Sequence, residues 1–135
     1  MGEMNGRNGD GQRVIEKWDT VFKALSAEPR RQLIVSLLDA SQGQSVSLPE
    51  HAMARNSPAD REKLRQELHH CHLPSLADQG FIDYETDPLV ASRGPQFDEV
   101  AIVFDALHAT AADLPDSLVA GCQRLEQERQ VSLGD

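Results

Sequence analysis

Residues 60–93 read DREKLRQELHHCHLPSLADQGFIDYETDPLVASR. The first half has helical spacing and the second half has strand spacing, so this stretch decides the fold. Taking about 100° per residue with Leu64 at 0°, Leu68 falls at about 40° and Cys71 at about 340°, but Leu73 at about 180° and Leu76 at about 120°. The two halves of the helix thus aim their apolar sides differently, and Pro74 stands between them. Proline removes one helical hydrogen bond and clashes with the carbonyl four residues earlier, here that of His70. A kink or break near 71–74 is therefore expected, with the second half re-phased. Gly80 ends the helix. FIDYE then reads as a strand, TDP as a turn, LVAS as the return strand and RGP as its end.

Upstream, QRVIEKWDTVFKAL places Val14, Trp18, Val21, Phe22 and Leu25 at helical spacing. In SAEPRRQLIVSLLDA, Ser26 is placed to cap a second helix, Pro29 fits its first turn, and Leu33, Ile34, Leu37 and Leu38 form one stripe. VSLPEHAMAR reads as a short third helix with Ser47 as its cap. Downstream, QFDEVAIVFDALHATAADL and PDSLVAGCQRLEQERQ read as two further helices. The order is four helices, a hairpin and two helices. The predicted class is mainly α with a small β-hairpin: a winged helix-turn-helix with extra C-terminal helices. The helix-turn-helix pair is 46–55 and 60–79, joined by NSPAD. Residues 1–11, rich in Gly and Asn, read as a disordered tail. Residues 12–95 form the winged domain, and 96–132 the C-terminal helices, expected to serve dimerisation.

The chain has 135 residues, 39% hydrophobic and 26% charged, the balance of a globular domain. No apolar run is long enough to span a membrane, and Cys71 and Cys122 form no disulfide framework, so a soluble, cytoplasmic protein is expected. The net charge of −9 is unevenly spread: residues 1–80 carry ten basic and eleven acidic groups, residues 81–135 three and eleven. Only Lys17, Lys23 and Lys63 are lysines. An acidic, lysine-poor chain fits either a high-salt cytoplasm or an ordinary acidic protein. At about 1 M salt the Debye length is about 3 Å, which weakens repulsion between an acidic body and DNA.

VFKALSAEPRRQLIVSLL resembles the opening of ArsR-type winged-helix regulators, in which Phe-x-Ala-Leu-x-x-x-x-Arg leads into an aliphatic helix. HLPSLADQGFIDYE resembles the end of their recognition helix and the start of the wing. RGPQFDEVAIVFDAL resembles the junction to the C-terminal helix in the haloarchaeal type. The resemblance implies a DNA-binding transcriptional regulator acting on double-stranded DNA as a homodimer, with first and last helices packed across the two-fold axis. It places Trp18, Val21, Phe22, Phe104 and Leu107 at that interface; the alternative is that they fill the core of one chain. It also makes 60–79 the recognition helix. His70 and Cys71 then take the positions facing the major groove. Arg65 and Gln66 stand a turn or more earlier, with side chains that bond base edges. His69 is a further DNA contact, whose alternative is packing against the fold. Arg55, Arg61 and Lys63 meet phosphate, and Arg93 meets the backbone or minor groove. The alternative for this face is solvated helix surface, since Glu62 and Glu67 interleave with the basic residues. The pattern departs from the metal-sensing members: SLPEHAMAR has no cysteine, and the last helix has no second histidine.

His69, His70, Cys71 and His72 are all good metal ligands, but neighbours on a helix fan around its axis. No Gly-rich phosphate loop, nucleophile elbow or paired carboxylates accompanies them, so no enzyme and no cofactor is expected. Two other readings stay open. One is a winged helix that binds protein instead of DNA. The other is a metal or redox sensor using His69–His72. His72 is expected to pack into the fold.

Overall fold

The computed structural model describes residues 2–53, 58–119 and 123–134, with side chains described over 11–53, 60–119 and 125–130. Helix α1 (Gly2–Ala24) and helix α2 (Glu28–Asp39) lead into a two-residue strand β1 (Val46–Ser47) and a 3-10 turn (Glu50–Ala52). The long helix follows in three parts: α3 (Pro58–Glu67), a π-helical turn (Leu68–His72) and α4 (Leu73–Asp78). Strands β2 (Ile82–Thr86) and β3 (Leu89–Arg93) form the hairpin, and α5 (Phe97–Ala109), a 3-10 turn (Ala111–Asp113), α6 (Asp116–Val119) and α7 (Gln123–Gly134) complete the chain. Helix, strand, helical turn, helix, hairpin is the order of a winged helix.

The hairpin follows its predicted bounds, with Ile82 opposite Arg93 and Thr86 opposite Leu89 across the turn at 87–88. The sheet holds a third strand that helical patterning concealed. Val46 pairs with Ala91 and Ser47 with Val90, and the Leu48 amide donates to the Leu89 carbonyl at 3.0 Å. Of the helix expected over 46–55, residues 54 and 55 lie outside the described residues, and within 46–53 only the turn at 50–52 is helical. Val46 is buried and Ser47 exposed, the alternation of a half-buried strand, and β-branched Val46 suits it. Ser47 lies in β1 rather than capping a helix. Ser26 is no cap either: its hydroxyl donates back to the Lys23 carbonyl, and Ala27 holds the N-cap position.

Helix α1 begins at Gly2, so the backbone of the stretch expected as a disordered tail is helical. Extending an existing helix adds one hydrogen bond per residue without a new nucleus. The chain forms two compact units, residues 1–100 and residues 101–135. The core of the first is aliphatic. Leu33, Ile34 and Leu37 of α2, Leu68, Leu73 and Leu76 of the long helix, and Phe81 and Ile82 of the hairpin are essentially inaccessible. In the second unit, Ala101, Phe104, Ala111 and Val119 are buried. Arg129 there donates to Asp116 and to the carbonyls of Ala111 and Leu114, while His108 pairs with Glu128 at 2.9 Å.

Two glycines close the base of the wing. Gly80 ends α4 with φ +77°, the left-handed region that glycine alone enters without cost. At Gly94 a Cβ would meet the Gly80 carbonyl at 2.4 Å and the Ile82 amide at 2.8 Å, so only glycine lets the two backbones touch. The Gly94 amide donates to Phe81 and the Gln96 amide to Gly80, at 3.0 and 2.7 Å.

Arg93 corrects an expectation. It does not extend toward a nucleic acid: its Nε and Nη2 donate to the Leu37 carbonyl at 3.1 and 2.9 Å, and Nη2 also reaches those of Leu38 and Ala40. The guanidinium also lies 5.1 Å from the centroid of the Phe97 ring. The last carbonyls of a helix have no intrahelical partners, and a cation there satisfies both their hydrogen bonds and the helix dipole. Arg93→Ala is expected to destabilise the fold by about 1.5–3 kcal/mol, the range for charge-assisted hydrogen bonds, in chemical denaturation. Wild-type stability in that variant would show that the carbonyls at the end of α2 do not need this cap.

Candidate nucleic-acid interface

The long helix solves its phase problem without breaking. The Leu73 amide donates to the Leu68 carbonyl, an i to i+5 bond that defines the π turn. In a regular α-helix these two leucines would point about 140° apart. The wider turn brings both inward, so Leu64, Leu68, Leu73 and Leu76 are all buried along one helix. The kink or break expected at 71–74 is replaced by this one extra residue per turn. Pro74 sits at the start of α4, where a missing amide costs little.

With that side fixed in the core, the opposite side is set by geometry. Glu62, Lys63, Arg65, Gln66, His70 and Cys71 are exposed, and His69 is half-buried. Glu62, Gln66 and His70 are spaced by four residues and line one side of the helix. Arg61 is exposed but ion-paired with Glu50 of the 3-10 turn. Arg55 lies outside the described residues. The helix mixes Arg61, Lys63 and Arg65 with Asp60, Glu62 and Glu67, whereas the wing is acidic up to Arg93 at its end: Asp83, Glu85 and Asp87 are exposed, and no Lys or Arg occurs between residues 66 and 92.

The cluster His69–His72 splits. His72 is buried while Cys71 is an exposed free thiol, and among the described residues no group of three His, Cys, Asp or Glu is placed to hold a metal ion. What holds His72 is Arg30, a residue to which sequence reasoning gave no role. Arg30 is buried; its Nε donates to His72 Nδ1 at 3.0 Å, Nη1 to the Lys23 carbonyl at 2.7 Å, and Nη2 to Cys71 Sγ at 3.5 Å. The signal was available in the spacing. Arg30 falls three, four and seven residues before Leu33, Ile34 and Leu37, on the buried stripe of α2.

Arginine only donates, so His72 Nδ1 must accept and its proton must sit on Nε2. That nitrogen faces Glu67 at 3.9 Å. Burial holds the imidazole below its ordinary value of 6.5, and the Arg30 charge adds to this, while Glu67 opposes both. The unfolded chain therefore takes up this proton first as pH falls. Stability from neutral His72 is fully present above 6.5 and is lost as pH falls through the folded value. The melting temperature is expected to decline on acidification below 6.5, and this component is expected to vanish in His72→Gln. Parallel pH profiles for the two proteins would remove His72 as its source. Arg30→Met, which orphans the His72 and Lys23 acceptors, is expected to cost about 2–3 kcal/mol.

Of the residues placed at a dimer interface, Val21 and Phe104 are buried within the chain, at 4% exposure each. They are core, because the inner side of each helix must supply the apolar filling. Trp18, Phe22 and Leu107 are about half exposed. Trp18 and Phe22 stack at 5.8 Å, and Val14 and Ile15 extend the same apolar surface along α1.

No curated protein and no solved structure matches the chain. A family described as a domain of unknown function (DUF7344) matches residues 22–91, from the end of α1 through most of β3, and so takes in Arg30, the π turn and the hairpin. That match covers more than half of the sequence, and the chain belongs to the DUF7344 family.

Proposed function

We propose that the protein is a DNA-binding transcriptional regulator of the ArsR-like winged-helix kind, a homodimer that sets the helix at 58–78 into the major groove of each half-site. The observation that carries this reading is the exposed polar side of that helix, backed by four buried leucines. Gln66 and His70 are central to it; glutamine can bond adenine N6 and N7, and histidine can donate to base acceptors. Arg65 and Lys63 flank them, within reach of base or phosphate. His69, half-buried, is left a marginal contact, and Arg61 is shared with Glu50. Arg93 is withdrawn from the contacts, and the acidic wing stays off the phosphates, so the helix alone carries the affinity.

The dimer rests on α1. Val14, Ile15, Trp18 and Phe22 are each about half exposed, a spacing of one, three and four residues that makes a continuous stripe. An apolar stripe with a stacked aromatic pair is the kind of surface a second helix covers. No helix among the described residues is long and apolar enough to cross a membrane, so a lipid-spanning role for α1 has no support. Trp18→Glu is expected to yield a monomer in analytical ultracentrifugation with helical content retained. A wild-type protein that is already monomeric sinks the dimer.

Specific binding is expected in selection from a random duplex pool at high salt. Arg65→Ala and Gln66→Ala are each expected to weaken it by about 1–3 kcal/mol and to relax base preference at separate positions. Lys63→Ala should weaken all sequences alike. No sequence-dependent binding at any salt concentration would end this reading. The acidic wing favours one other reading, a winged helix that binds a basic protein surface. Pull-down of protein partners that fails on reversing Asp83, Glu85 and Asp87 to lysine, with no DNA selected, would favour it.

A further inference from the structure

We infer that Arg30 and His72 form a proton-operated switch that sets the phase of the second half of the DNA-facing helix. This rests on the DNA-binding reading for its consequence, though not for its mechanism. The pair meets at the π turn, the one place in the helix where the register changes. His72 is the last residue of that turn, and the next residue, Leu73, makes the i to i+5 bond. Arg30 reaches the turn from α2 and is anchored to α1 through the Lys23 carbonyl. One side chain therefore ties two helices to the point where the third is re-phased.

The groups facing His72 allow one neutral arrangement. Arg30 from α2 faces Nδ1 at 3.0 Å; Glu67 from the preceding turn faces Nε2 at 3.9 Å; Cys71 and the Lys23 carbonyl occupy the remaining arms of Arg30. Protonation adds a hydrogen at Nδ1, the atom that accepts from Arg30. The acceptor becomes a donor, and an imidazolium faces a guanidinium that cannot lose its proton. Glu67 cannot bridge the two, since it lies at the opposite nitrogen. Two cations at that separation in a buried site must part. Arg30 is held by a helix-end carbonyl, so the mobile partner is His72. Its departure withdraws the end of the π turn and frees Leu73 from its register. The two parts of the helix then lose their fixed phase, and His70, inside the turn, loses its fixed relation to Gln66 in α3.

The sign separates this switch from a general gain of positive charge on acidification, which would strengthen phosphate binding as pH falls. Protonating His72 weakens binding. DNA affinity is measured at constant ionic strength from about pH 7.5 to about pH 5.5 for wild type and His72→Gln, glutamine being neutral throughout. Wild type is expected to lose about ten-fold more affinity than the variant, within the usual range of coupling between linked equilibria. In wild type alone, amide exchange protection at Leu73 is expected to fall with the same midpoint as the His72 ring resonance. Parallel affinity profiles, or Leu73 protection that is unchanged while His72 titrates, would overturn the switch. Absence of DNA binding at every pH would instead end the DNA reading, and the exchange measurement would still decide the switch.

Discussion

A single buried guanidinium joins the end of α1, the start of α2 and the π turn. Arg30 sits on the apolar stripe of α2 without a carboxylate, and its hydrogens go to a carbonyl of α1, an imidazole and a thiol. A buried cation is costly unless its donors are satisfied. Here satisfying them requires that the end of α1, the start of α2 and the π turn lie within one side chain's reach. Apolar burial is non-directional and by itself leaves helix position more freedom than hydrogen-bond geometry does. The arginine removes that freedom, and Arg93 does the same at the other end of α2, where it binds three carbonyls. One helix is thus fixed at both ends by arginines from different points in the sequence.

This explains how far the sequence could be read. The hairpin was legible because strand spacing, turn residues and Gly80 all agreed. The phase conflict between Leu68 and Leu73 was legible too, as was the packing of His72. Its resolution was not, because a proline in a helix signals a kink far more often than a π turn, and the choice depends on neighbours distant in sequence. β1 was hidden because SLPEH carries the marks of a helix start, while its pairing with Ala91 is forty-five residues away. Arg93 was misassigned for a related reason. An arginine beside a wing looks like a phosphate contact until the carbonyls at the end of α2 are placed next to it.

The charge distribution divides the molecule along the same line. Charge is mixed on the helix and acidic on the hairpin up to Arg93 at its end: Lys63 and Arg65 interleave with Glu62 and Glu67, while no Lys or Arg interrupts Asp83, Glu85 and Asp87 along the wing. A duplex laid against the helix would be guided by that gradient as well as by shape. In dilute buffer the acidic arm would oppose close approach; at high ionic strength only contacts within a few ångströms count. Under the DNA-binding reading, the salt dependence of binding would follow from which element carries which charge.

The contact between Gly94 and Gly80 has a consequence for how this arm can vary. The two backbones touch at the base, and Ile82 is in register with Arg93 just above it. Neither leg can gain a residue near the base without separating them. Because side chains alternate faces along a strand, a single added residue would also turn Leu89 and Ala91 outward. Growth or shortening of the arm is left to the tip at 87–88, and there only in matched pairs. Relatives of this chain should differ in wing length by even numbers of residues, with both glycines retained.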